Sequence, residues 1–232
     1  MGDLDKSRQA VLARIAAALA AAHRPAGDCS LLAVSKTFPA EAVRLCHAAG
    51  QRAFGENYVQ ELVDKAAQLS DLADLEWHFI GPLQSNKTRP VAECAHWVHS
   101  IDRLKIAERL SAQRPEGLPP LQVCVQVNVS GEDSKSGCRP DEAVALAQAV
   151  AALPRLQLRG LMCIPEPTED AAVLASQFAQ LRHLRDTLRQ QGLPLDTLSM
   201  GMSADLELAI AQGATLVRVG TALFGTRTVT AH

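Results

Sequence analysis

Eight short runs rich in β-type residues, each followed by a segment with helical spacing, succeed one another along this chain. The runs occupy 30–38, 52–57, 76–81, 97–102, 121–130, 157–164, 197–203 and 216–225. Between them apolar residues recur at helical spacing over 39–49, 58–69, 85–94, 103–113, 141–153, 169–191 and 204–212, several of these segments closing on Gly or Pro. Strict strand–helix alternation forces parallel pairing through right-handed crossovers, and eight such units close a ring. The predicted fold is α/β, a single (β/α)8 TIM barrel over 1–232, with an extra N-terminal helix over 4–22. An open dinucleotide-binding sheet would carry GxGxxG after its first strand, but Lys36-Thr37-Phe38-Pro39 stands there instead.

A chain of 232 residues suits one such barrel. Its net charge of −2 leaves no basic excess for nucleic acid or a membrane surface, so small-molecule partners are expected. The six cysteines form no CxxC pair and sit largely in apolar runs, which fits a reducing cytoplasm. Arg14 and the preceding acids argue against a secretory leader, and MGDLDK is a poor myristoylation signal. His96-Trp97-Val98-His99 has no carboxylate or Cys at ligand spacing, so surface or packing roles are expected and no metal.

Chemistry on a barrel gathers at the C-terminal strand ends. Lys36 closes the first run, where a cation is either snorkelling to water or presenting an amine to a carbonyl compound; a partly desolvated lysine frees its lone pair for Schiff-base formation. Gly201-Met202-Ser203 follows the seventh run, with Ser203 expected to cap the next helix, and Gly220-Thr221 ends the eighth. Those two turns lie where barrels build phosphate sites. Arg218, inside Leu216-Val217-Arg218-Val219, is expected in the barrel mouth or paired in the core.

The segments Ala33-Val34-Ser35-Lys36-Thr37, Phe54-Gly55-Glu56-Asn57-Tyr58, Trp77-His78-Phe79-Ile80-Gly81-Pro82-Leu83-Gln84-Ser85-Asn86-Lys87, Asp133-Ser134-Lys135-Ser136-Gly137, Arg159-Gly160-Leu161-Met162 and Leu198-Ser199-Met200-Gly201-Met202-Ser203 resemble the pyridoxal phosphate homeostasis protein family. The likeness runs from about residue 30 to Arg227. It implies a barrel like the N-terminal domain of alanine racemase with pyridoxal 5'-phosphate bound covalently to Lys36 as a Schiff base. By position it also implies Asn57 beside the cofactor, Arg218 at the pyridine nitrogen, and Ser203, Gly220 and Thr221 at the phosphate. His78 and Met200 would line the pocket.

The implied role is vitamin B6 and amino acid homeostasis without turnover, by a cytoplasmic monomer whose partners include pyridoxal phosphate-dependent apo-enzymes. The alternative is a racemase-like enzyme. Against it stand the lack of a second β-rich domain that would bring a second base, and a sole tyrosine, Tyr58, at a helix start. A class I aldolase is disfavoured because no acid/base set accompanies Lys36. Lys135, in the polar loop after the fifth run, is expected to be solvated or to act as a lid cation that guides the cofactor.

Overall fold

The computed structural model describes residues 2–131 and 136–226. Lys135 and Arg227 lie outside them. Eight parallel strands close a barrel in chain order: β1 Ser30–Val34, β2 Ala53–Glu56, β3 Glu76–Phe79, β4 Trp97–Ile101, β5 Leu121–Gln126, β6 Leu156–Met162, β7 Thr197–Ser199 and β8 Leu216–Val219. The ring is sealed where β1 runs beside β8, with Ser30 opposite Leu216 and Ala33 opposite Val219. The helices are α1 Gly2–Ala21, α2 Ala40–Ala48, α3 Val59–Gln68, α4 Thr88–Cys94, α5 Leu104–Gln113, α6 Pro140–Ala151, α7 Ala171–Gln190, α8 Leu206–Ala211 and α9 Thr221–Phe224.

The extra helix α1 has a structural role that its sequence position hides. The helix after β8, α9, is a single turn, too short to cover the β8–β1 seam. Helix α1 packs against α8, α9 and α2 instead, burying Val11, Ile15, Ala18 and Leu19. Arg14 pins it through a bidentate bond to Glu207 and a bond to the Ser203 carbonyl, and Arg8 reaches the Ala49 carbonyl. Thr221–Phe224 was expected to prolong the last strand. It turns helical because Leu223 and Phe224 both donate to the Gly220 carbonyl.

Strand alternation divides the side chains into two sets. Leu31, Ala33, Phe54, Trp77, Phe79, Val98, Leu198, Val217 and Val219 face outward into the main core beneath the helices. Leu32, Val34, Ile80 and Leu216 form one small cluster inside the ring, and Trp97, Cys124 and Met162 form another. The same parity sends Lys36, Asn57, His78, His99, Ser199 and Arg218 inward, so the polar residues of six strands or strand ends share one interior.

Candidate functional site

At the C-terminal face of the barrel a cavity of about 490 Å³ is lined by Lys36, Asn57, Ser203, Arg218, Gly220 and Thr221, with Val34, Ile80, Ile164, Met202 and Ala204 as its apolar walls. Six of the eight residues expected at a cofactor site therefore meet in one cavity. A larger surface groove along α7, bordered by Ser176 and His183, is remote from these strand ends and carries no converging charges. The strand-end cavity is the candidate site because polar and charged side chains from β1, β2 and β8 converge on it.

The backbone that carries Lys36 is held on both sides. Lys65 Nζ, on α3, donates to the Ser35 carbonyl at 2.8 Å, to Glu56 Oε1 at 2.6 Å and to Glu61 Oε2 at 2.8 Å. Glu61 in turn accepts from the Thr37 N–H at 2.7 Å, and Ser35 Oγ donates to Glu56 Oε1 at 2.7 Å. Thr37 sits at φ +67°, a left-handed conformation that a non-glycine residue keeps only when its surroundings fix it. Burial pushes the Glu56 carboxyl up, opposed by its bonds to Lys65 and Ser35. The Glu56–Lys65 pair thus stands just outside the barrel wall, behind the half-buried Lys36.

Asn57 lies on the neighbouring strand end, since β2 pairs with β1. The residue lines the cavity, and its Oδ1 is buried with no hydrogen-bond partner among the described residues. Gly81 positions it: a Cβ there would overlap the Asn57 carbonyl oxygen, so only glycine lets the loop after β3 approach so closely.

Arg218 is 4% exposed and lines the cavity floor, donating from Nη1 to Ser199 Oγ and from Nη2 to the Cys163 carbonyl, both at 2.8 Å. Both sequence expectations hold for it, since it is paired in the core and also faces the mouth. Ser203 does not cap α8; Asp205 precedes that helix, and the Asp205 carboxylate accepts instead from the Met202 N–H. Ser203 Oγ faces α9 and accepts from the Ala222 N–H at 3.5 Å. The Ser203 turn and the Gly220-Thr221 turn thereby form one rim.

His78 and Met200 are not part of the lining. His78 lies deeper in the barrel, bonded to Glu76 and His99 and stacked on Trp97. Met200 has the outward parity of β7 and is fully buried in the core under the helices. His99, expected on the surface or in simple packing, is fully buried and hydrogen-bonded to His78 and Ser199. Ile80, Ile164 and Met202 were missed as lining residues. Strand parity counted from His78, two residues earlier at the end of β3, would have found Ile80.

The family described as "Alanine racemase, N-terminal domain" matches residues 8–228. The "Pyridoxal phosphate homeostasis protein" of Pseudomonas aeruginosa is 65% identical over 217 residues, covering 94% of this chain and 93% of its own length. The protein of that name from Escherichia coli K12 is 52% identical over 229 residues, covering 98% of each. Among solved structures, PipY of Synechococcus elongatus with PLP bound superposes with a TM-score of 0.79 at 44% identity, covering 91% of this chain and 100% of that one.

Proposed function

Since the chain belongs to the pyridoxal phosphate homeostasis protein family, within the wider family of the alanine racemase N-terminal domain, we propose that its strand-end cavity binds pyridoxal 5'-phosphate. Lys36 Nζ is the covalent attachment point. The observation that carries this reading is the convergence of Lys36, Asn57 and Arg218 on one cavity whose remaining polar rim is Ser203, Gly220 and Thr221. The buried, unpartnered Asn57 Oδ1 fits a polar ring substituent, which would supply the hydrogen bond it lacks.

Bound pyridoxal phosphate supplies an aldehyde carbon open to amines and an electron-accepting ring. The chain's own residues restrain that chemistry. Arg218, a permanent cation in the cavity floor, would oppose protonation of a pyridine nitrogen placed beside it, which would weaken the ring as an electron sink. Ser203 Oγ and the backbone at Gly220 and Thr221 hold the phosphate. Lys36 and Arg218 are the ionisable side chains of the lining among the described residues. Two-base racemisation needs a second base on the face opposite Lys36, and Arg218 is a poor one, so this lining favours storage and delivery of the cofactor over turnover. Exposed Met202 and Ile164 at the mouth leave the cavity approachable by a recipient apo-enzyme.

Two measurements test the reading. Incubation with amino acids in heavy water should give no Lys36-dependent exchange of the α-proton by NMR, and transfer of pyridoxal phosphate to an apo-enzyme should outpace uptake from free solution. Fast exchange that vanishes in Lys36→Ala would make the protein an enzyme.

A further inference from the structure

Arg218 is a buried cation whose hydrogen bonds go to a hydroxyl and a carbonyl, not to a carboxylate. A buried charge normally needs a countercharge. The Asp205 carboxylate, just before α8, lies near enough to favour the charge without bonding to it, and a continuous line of hydrogen bonds through the barrel interior connects the guanidinium to a second carboxylate at a distance. Arg218 Nη1 meets Ser199 Oγ at 2.8 Å, Ser199 Oγ meets His99 Nδ1 at 2.8 Å, His99 Nε2 meets His78 Nδ1 at 2.8 Å, and His78 Nε2 meets Glu76 Oε1 at 2.6 Å. Glu76 opens β3, at the end of the barrel opposite the cavity, and its side chain is 47% exposed.

Both ends dictate the same proton arrangement. A guanidinium only donates, so Ser199 Oγ accepts from Arg218 and is free to give its own proton to His99 Nδ1. An ionised carboxylate only accepts, so His78 Nε2 carries a proton, and a neutral His78 then offers Nδ1 as acceptor to His99 Nε2–H. The two assignments meet without conflict at the His78–His99 bond. Burial depresses the basicity of both imidazoles, His99 most strongly, with Arg218 and His78 adding to the effect at His99, while the bond to His78 holds the Glu76 carboxyl low. Trp97 stacks on His78 at 5.2 Å between centroids and carries on its ring the Arg159 guanidinium, itself paired with Asp196 at 2.7 Å; His96 near Glu76 and Asp205 near Arg218 are the further titratable groups around the chain. Each link turns its negative end toward Arg218 and its positive end toward Glu76, so successive dipoles reinforce one another.

We propose that Ser199, His99 and His78 are positioning residues for Arg218, and that the Glu76 carboxylate locks their proton arrangement from the far end of the barrel. The locked chain holds the guanidinium so that its remaining N–H groups point into the cavity. That these groups meet a pyridine nitrogen rests on the function proposed above; the chain itself does not.

The two claims separate experimentally. In the ligand-free protein at pH 7, 15N NMR should show His78 and His99 each as a single neutral Nε2–H tautomer, with resolved guanidinium signals for Arg218. Glu76→Gln keeps the shape but can accept from or donate to His78, so it admits the reverse arrangement. It should give mixed tautomers and broadened Arg218 signals at an unchanged fold. Ser199→Ala should collapse the Arg218 signals outright. In loaded protein both variants should release pyridoxal phosphate faster, by about 3- to 10-fold, the equivalent of one hydrogen bond. A doubly protonated or Nδ1–H imidazole in the wild type, or Arg218 signals unaltered in both variants, would overturn the relay. Failure of the wild type to take up pyridoxal phosphate would overturn the functional reading alone, leaving the NMR result to decide the chain.

Discussion

Lys65→Met removes the cation that holds the buried Glu56 carboxylate, and with it the bonds to the Ser35 carbonyl and to Glu61. The Glu56 side chain is fully buried and that of Lys65 is 6% exposed, so water cannot replace the lost partner. Stripping one member from a buried pair costs about 3–5 kcal/mol, against a total stability of roughly 5–15 kcal/mol for a domain. With a urea slope of about 2–3 kcal/mol/M for a chain of this size, the midpoint should fall by about 1–2 M. The stranded Glu56 can relieve the cost by protonating. Its folded pKa is already raised, and loss of Lys65 raises it further. A carboxyl with a folded pKa above its unfolded value favours folding at low pH and loses that contribution as pH rises, so the variant's deficit should shrink between pH 7.5 and 5. Glu56→Leu added to Lys65→Met should recover at least about 2 kcal/mol, because no fully buried charge is then left unpaired, Glu61 being partly exposed. A urea midpoint within about 0.3 M of wild type for Lys65→Met at pH 7.5 would refute the reasoning.

Asn57→Ala should leave the melting temperature nearly unchanged, because Oδ1 has no partner to lose among the described residues, yet weaken pyridoxal phosphate binding by about 3- to 10-fold in an absorbance titration. Gly81→Ala forces a Cβ onto the Asn57 carbonyl and should cost about 1–3 kcal/mol or more by urea unfolding, with impaired cofactor uptake. His78 and His99 have folded pKa values below their unfolded ones. The unfolded chain therefore binds more protons on acidification, and stability should fall by up to about 1.4 kcal/mol per pH unit for each imidazole as pH drops below about 6.5. Urea midpoints at pH 7.5 and 5.5 for wild type and a His99→Leu variant would show it, the variant losing less.

The order of strands and helices was legible because two periodicities, two and 3.6, alternate cleanly along the chain. The boundary error at the last strand has a local cause: Thr221-Ala222-Leu223-Phe224 is apolar enough to read as strand, and only the bonds to the Gly220 carbonyl decide for helix. Lys36, Arg218 and the two polar turns were legible because each breaks an apolar pattern at a strand end. Two others, expected from the family resemblance, lie elsewhere. Met200 follows inward-facing Ser199 and must face the helices, whereas His78 shares the inward face of Asn57 and Lys36 but lies deeper in the ring. His99 and Lys65 were hidden for a further reason. Polar residues on exposed faces and in buried networks look alike in one dimension, and the partners that satisfy them come from distant strands or, for Lys65, from the wall across α3. The Glu61–Lys65 spacing was the available hint, but such pairs are common on solvated helix faces.

Borohydride reduction of the pyridoxal phosphate-treated protein, followed by peptide mass mapping, tests the central claim most directly. A visible absorption band on mixing, a single reduced pyridoxyl adduct on Lys36, and loss of both in Lys36→Ala are expected from that claim. A band that persists in that variant, or an adduct that maps to another lysine, would contradict it.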